Sequence, residues 1–282
     1  MKKLILGALS AALMLTMTNC SQSPAEAGIT LEDTTWLPEK TITFTFGSRP
    51  STRSTLQEAN ITDLWLFDYV DGELMNTVHK TSDLDAVTVA LEYGEHTLCF
   101  VASRGSEPTV SEGVLSWVKP SDTFWASLQI DVQPATSASQ SVELNRVATR
   151  LSVSITDEIP SNAARLEIEP TAWYYGLNVL TGEAADCRSS VVRPIAIPAS
   201  YAGTTGLLTA TIYGLSPVEA WQTDVSVRLV ASDESVLGSV SLSGVSLARN
   251  RATVYSGGMM GSGASLSVTV DDEWQDADDH TW

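Results

Sequence analysis

Apolar and hydroxyl-bearing residues alternate one for one in several parts of this chain. Ser152 and Ser154 separate Leu151, Val153 and Ile155; Ser267 and Thr269 separate Leu266, Val268 and Val270; Thr43 and Thr45 separate Ile42, Phe44 and Phe46. A period of two sends successive side chains to opposite faces of an extended strand, whereas a helix needs apolar positions three and four apart. Strands with one dry and one wet face belong to antiparallel sheets. Further strand signals run over 61–69, 73–79, 86–91 and 96–102, with turn chemistry at Asp71-Gly72 and Tyr93-Gly94. Short strands at regular spacing predict an all-β chain of sandwich type. Only Val114–Val118 and Asn162–Leu166 are expected as short helices, and Gln133–Gln140 as a loop or linker.

A chain of 282 residues is long enough for two ordinary domains. The expected organisation is a leader over 1–19, a flexible tether over 20–40, and two sandwiches over 41–145 and 146–282. The leader is read from Lys2 and Lys3, the 14-residue apolar run Leu4–Met17, and the polar residues that follow. That run is too short for a spanning helix, which needs about 20 residues, so it reads as a signal peptide. Cys20 directly after it resembles the lipobox of bacterial lipoproteins, in which the thiol carries the lipid and becomes the first mature residue. The Ser-, Ala- and Thr-rich stretch up to Lys40 then serves as the spacer.

Charge and composition narrow the function. Acids outnumber bases by 34 to 16, and nucleic-acid binding needs clustered Lys and Arg to displace counterions from phosphate. No nucleic-acid partner is expected. HExxH, GxSxG, Walker and CxxC patterns are absent. His79, His96 and His280 are scattered and lack evident catalytic partners, so the expectation is no enzyme, no metal and no cofactor other than the lipid on Cys20. The acidic run Asp271–His280 offers oxygen ligands but lacks the turn glycine of a calcium loop, and reads as a solvated end. Among eight tryptophans, Trp65 and Trp125 fall in strand patterns, while Trp36, Trp173, Trp274 and Trp282 are expected to be exposed. Cys99 and Cys187 are expected as free thiols.

Several segments together resemble the fimbrillin-like proteins of Bacteroides-type bacteria. They are the lipobox, the first strand 41–46, Thr52-Arg53-Ser54, the aromatic strand from Ile61 to Leu74 with its Asp-Gly, the junction from Val142 to Val153, and the ending Asp272-Glu273-Trp274. Within that group the aromatic strand is most similar to the FimB-type minor and anchor subunits. The resemblance implies two transthyretin-like sandwiches, a surface-exposed lipoprotein of the outer membrane, and a non-enzymatic structural or adhesive role in a type V fimbria. Its partners would be other fimbrial subunits, joined by strand pairing. Two segments are candidates for that pairing, one carrying Ile42, Phe44 and Phe46 and the other Leu266, Val268 and Val270. Arg49 and Arg53 stand where the family's shaft subunits are cut, and in an anchor they are expected to stay intact. A surface glycan-binding lipoprotein is the alternative function.

Overall fold

The computed structural model describes residues 38–49, 60–206, 208–261 and 264–272. Among them there is no α-helix, only a single 3-10 turn at Ala199–Tyr201. The chain from Pro38 onward groups as one compact unit.

The first half contains β1 (Glu39–Arg49), β2 (Asp63–Val70), β3 (Glu73–Lys80), β4 (Ala86–Glu92), β5 (Gly94–Ser103), β6 (Thr109–Ser111), β7 (Val114–Ser116), β8 (Thr123–Val132) and β9 (Ser139–Arg146). Seven of these form one sheet in the order β3-β2-β5-β8-β9-β1-β4. It folds over at β8–β9, where Phe124 pairs with Arg146 and Trp125 with Asn145 and the ladder then ends. The layer β4-β1-β9 thereby covers β3-β2-β5-β8. The alternation of β1 puts Ile42, Phe44 and Phe46 between the layers, with Phe44 and Phe46 each about one ring's width from Phe100, at 5.3 and 5.4 Å between centroids. β2 is buried on both faces, which is why it reads as a continuous apolar run. Leu64 and Leu66 face this core, and Trp65, Phe67 and Tyr69 face away into a second one. Each such side chain contributes roughly 1.5–3 kcal/mol by leaving water. Asp71 and Gly72 both take positive φ (51° and 82°), the twist that a two-residue hairpin requires.

The second half contains β10 (Ala148–Ile155), β11 (Ala163–Pro170), β12 (Trp173–Asn178), β13 (Ala184–Arg188), β14 (Arg193–Ala196), β15 (Leu208–Leu215), β16 (Trp221–Ala231), β17 (Val236–Leu247), β18 (Ala252–Gly258) and β19 (Ser265–Asp271). Sheets β15-β10-β18-β19 and β14-β11-β16-β17 pack around Leu151, Val153, Ile168, Val227 and Leu229. The topology repeats that of the first half: β14-β11-β16-β17 matches β3-β2-β5-β8, and β15-β10-β18 matches β4-β1-β9. In both, the opening strand pairs antiparallel with one neighbour and parallel with the other, β1 with β4 and β9, β10 with β15 and β18. Among the described residues β19 has no counterpart in the first half.

A fourth sheet, β13-β12-β7-β6, takes two strands from each half. Beneath it Trp65, Phe67, Val101 and Trp117 pack with Leu177, Val179 and Leu215 in one apolar cluster.

Local readings change in three segments. Val114–Val118 and Asn162–Leu166 are not helical: β7 and β11 occupy them, since apolar runs of about five residues do not distinguish the two periods. Of Gln133–Gln140, the first six residues form the expected loop, joining β8 to β9 inside the first half, and Ser139 and Gln140 open β9. β1 does not stop at Phe46 but runs to Arg49, because its parallel partner continues to Asn145. Tyr93-Gly94 is the expected turn between strands, and it carries the chain from one layer to the other, for β4 pairs with β1 and β5 with β2.

Candidate functional site

The chemistry-bearing side chains are occupied with one another. His96 is buried, with Nδ1 2.7 Å from Asp68 Oδ1 and Nε2 3.0 Å from the Glu92 carbonyl. A cavity of about 350 Å³ beside it is rimmed by Asp71, Glu95 and Asp131. His79 stacks on Trp65 at 4.6 Å with Nε2 3.0 Å from Asp63. The neighbouring Thr62 hydroxyl donates to that same carboxylate and not to the imidazole, so this trio lacks the nucleophile-to-base contact that activates a hydroxyl. Among the described residues no three His, Cys, Asp or Glu side chains converge to hold a metal. Asp272 accepts from Arg251 Nε at 2.6 Å, and 273–280 of the acidic run lie outside the described residues.

The tryptophans divide differently from expectation. Trp65 and Trp125 sit in or beside the core, as their strand patterns imply. Trp173, expected on the surface, is wholly buried and donates its Nε1–H to the Tyr213 carbonyl at 2.9 Å; it opens β12, and its ring lies in the core of the second sandwich. Trp36, Trp274 and Trp282 fall outside the described residues. Cys99 and Cys187 are both free. Burial pushes the Cys99 thiol up to about 11, while Cys187 is exposed on β13.

The two candidate pairing segments occupy opposite environments. β1 lies between β4 and β9, hydrogen-bonded on both sides, with Ile42, Phe44 and Phe46 inside its own core. Arg49 is the last residue of this strand, its backbone level with Asn145; Cys20 and Arg53 lie outside the described residues. β19 is different. It pairs with β18 alone and closes the edge of its sheet, and it projects past the opposing layer, whose last strand is β17. Leu266 still reaches the core, but Val268 and Val270 on the same face are 52% and 44% exposed. The turn leading into β19 is pinned by Asp157, whose Oδ2 accepts from the backbone N–H of Met259 (2.5 Å) and Met260 (3.0 Å). Gly257 is required there, since a Cβ would come within 2.2 Å of the Ser265 carbonyl.

A set of arginines that the sequence did not single out by role ties the halves together. Arg146 forks onto Asp122 (2.8 and 3.1 Å) and reaches Asn250 with its third nitrogen (2.9 Å) while lying over the Phe124 ring. Arg104 crosses as well, donating to the Tyr213 hydroxyl, while Arg249 braces the second half internally through the carbonyls of Ser216 and Gly182. An Arg within an otherwise regular strand, such as Arg146 in Glu143-Leu144-Asn145-Arg146-Val147, is the available sequence signal for such a clamp.

Comparison with solved structures gives likenesses of fold at low identity. A candidate adhesin from Bacteroides thetaiotaomicron VPI-5482 is 9% identical over 85% of this chain and 98% of its own, with a TM-score of 0.53. A candidate adhesin from Bacteroides ovatus ATCC 8483 is 10% identical over 81% and 88%, at 0.53. A protein from Bacteroides thetaiotaomicron described as polysaccharide-binding (DUF1812) is 10% identical over 83% and 96%, at 0.54. No curated protein matches the chain. One protein-family model matches residues 62–282, from just before β2 to beyond β19. On that match the chain belongs to DUF6562, a family of unknown function.

Proposed function

We propose that this chain is a non-enzymatic, adhesive or structural subunit of a type V fimbria, held in the outer membrane by a lipid on Cys20 and joined to pilins by strand pairing through β19. The observation that carries this reading is β19 itself: a strand added beyond the shared topology, at the edge of its sheet among the described residues, with Val268 and Val270 half-exposed on its apolar face. Such an edge offers main-chain hydrogen bonds for affinity and alternate side chains for register. The names of the fold's neighbours, two of them candidate adhesins, agree with a surface role. In this reading 41–145 and 146–282 are the two transthyretin-like domains, the chain is the FimB-type minor subunit, and Arg49 and Arg53 remain uncut.

Two variants test it in cells. Cys20→Ala is expected to release the protein from the membrane fraction, and retention after a carbonate wash overturns the anchor. Val268→Asp, at a half-exposed position, is expected to leave the protein folded and membrane-bound but to lose its fimbriae. Fimbriae that persist on this variant, together with binding of the protein to surface polysaccharide, would move the glycan-binding reading ahead. Phe44→Asp is no equivalent test at the other end, because Phe44 is fully buried and a charge there unfolds the sandwich.

A further inference from the structure

The outer face of β2, β5 and β8 is covered along only part of its length. Phe67 and Cys99, partners in the ladder, lie in the apolar cluster beneath β13-β12-β7-β6. One row further along, Tyr69 stands opposite Thr97 and Thr97 opposite Gln129; in the next row Glu95 stands opposite Asp131. Gln129, Glu95 and Asp131 are exposed. The cover ends at the turn between β6 and β7, where a Cβ on Gly113 would lie 3.9 Å from the Tyr69 hydroxyl. These five residues and Asp71 line the cavity of about 350 Å³ beside His96.

Charge is the first feature that sets this cavity apart. Like charges directly opposite in a ladder destabilise a sheet, and Glu95 and Asp131 are so placed. No base among the described residues compensates them or Asp71. Asp131 Oδ1 accepts only from the neutral Gln133 amide, at 2.8 Å. The second feature is Tyr69. Its ring belongs to the apolar cluster and the residue is 6% exposed, yet its hydroxyl has no hydrogen-bond partner among the described residues. Buried hydroxyls are ordinarily hydrogen-bonded, and this one has the cavity to turn to. Burial pushes the phenol up, which keeps the hydroxyl a donor. The Thr97 hydroxyl and the Gln129 amide beside it are also free to bond.

We infer that this cavity binds an aminated sugar, an unacetylated hexosamine of a surface glycan, with the ammonium between Glu95 and Asp131 and ring hydroxyls on Tyr69, Thr97 and Gln129. Among the described residues the carboxylates do not converge as a metal ion requires, so the cation they suit is one carried on a larger molecule. Small-molecule sites span roughly 300–1,000 Å³, and this one is at the lower end. Its lining separates a sugar from a lysine side chain. A lysine stem lies along apolar surface, whereas here hydroxyl and amide groups stand next to the acids and match the hydroxyls of a sugar ring. The inference rests on the adhesive part of the proposed function and names what is held.

Isothermal titration calorimetry on the full chain in detergent tests it, at about 0.15 M salt so that long-range attraction is screened. The probes are a glucosamine tetramer, its N-acetylated counterpart and tetralysine. The glucosamine tetramer is expected to bind, and the other two roughly tenfold more weakly or worse. Glu95→Gln and Asp131→Asn are each expected to weaken that binding roughly tenfold, as loss of a charge-assisted hydrogen bond does. Tyr69→Phe is expected to weaken it less, and Glu219→Gln, at an exposed position between β15 and β16, to leave it unchanged. Both carboxamide variants are expected to melt no lower than the unaltered chain, since they relieve opposed charges, so lost binding is not lost fold. Equal binding of the acetylated tetramer or of tetralysine overturns the inference. Full affinity in both carboxamide variants does so too, as does an unaltered chain that binds none of the probes. None of these results bears on Cys20 or β19, so the fimbrial reading stands or falls separately.

Discussion

Arg146 and Asp122 are nearly sealed from water, with 2% and 3% of their side chains accessible, and each satisfies the other through a two-pronged hydrogen bond. Taking two charges out of water costs much of what their attraction returns, so the pair is weak evidence of stability while intact. Removing one partner is another matter, for it leaves the second charge buried and uncompensated. Arg146→Ala is expected to cost about 3–5 kcal/mol, read as a lowered urea midpoint. The double change Arg146→Met with Asp122→Leu should cost less than the single one, because no orphan charge remains. Arg165 makes equally short contacts with Glu234, yet Glu234 is largely exposed, and its loss is expected to matter little. Number and length of hydrogen bonds do not rank these two arginines; burial does.

At the scale of elements, close approach decides which changes a strand tolerates. Gly214 in β15 lies against Trp173, and a Cβ there would fall 2.6 Å from the indole nitrogen. That indole is buried and held by its bond to Tyr213, so it cannot swing aside. Gly214→Ala is expected to destabilise by about 1–3 kcal/mol, measured by thermal melting, with the far-ultraviolet spectrum unchanged. The strands themselves were legible where alternation was long: β1, β4 and β10 follow it closely, and their inward residues are those the pattern names. Legibility failed where the apolar run was short, as in β7 and β11. It failed also where burial came from a neighbour the pattern does not name, as for Trp173. The alternation of β1 and of β19 looks alike in sequence, yet one is enclosed and the other stands at an edge. Period two identifies a strand's apolar face, and only the pairing partners decide whether anything covers it. The repeat of topology was equally hidden, since it resides in strand order and not in matching residues.

Across the whole molecule, the sheet β13-β12-β7-β6 and the cluster beneath it bind the halves into one apolar body. Unfolding by urea is therefore expected as a single transition, with tryptophan fluorescence and far-ultraviolet circular dichroism coinciding. Two separated transitions would show that the shared core contributes too little to couple the halves. Assembly of that body is slow work for a chain, because β1 must await β9 and β10 must await β18, each about a hundred residues later. The same enclosure of β1 has a mechanical side. Tension delivered from its N-terminal end runs along the strand, and the ladders to β4 and β9 resist in shear, with many hydrogen bonds sharing the load at once. Survival under force depends on the rate of crossing the unfolding barrier rather than on equilibrium stability. A strand gripped on both flanks makes that barrier high against pull from its N-terminal side, so in the proposed membrane-tethered arrangement the first sandwich would act as a clamp.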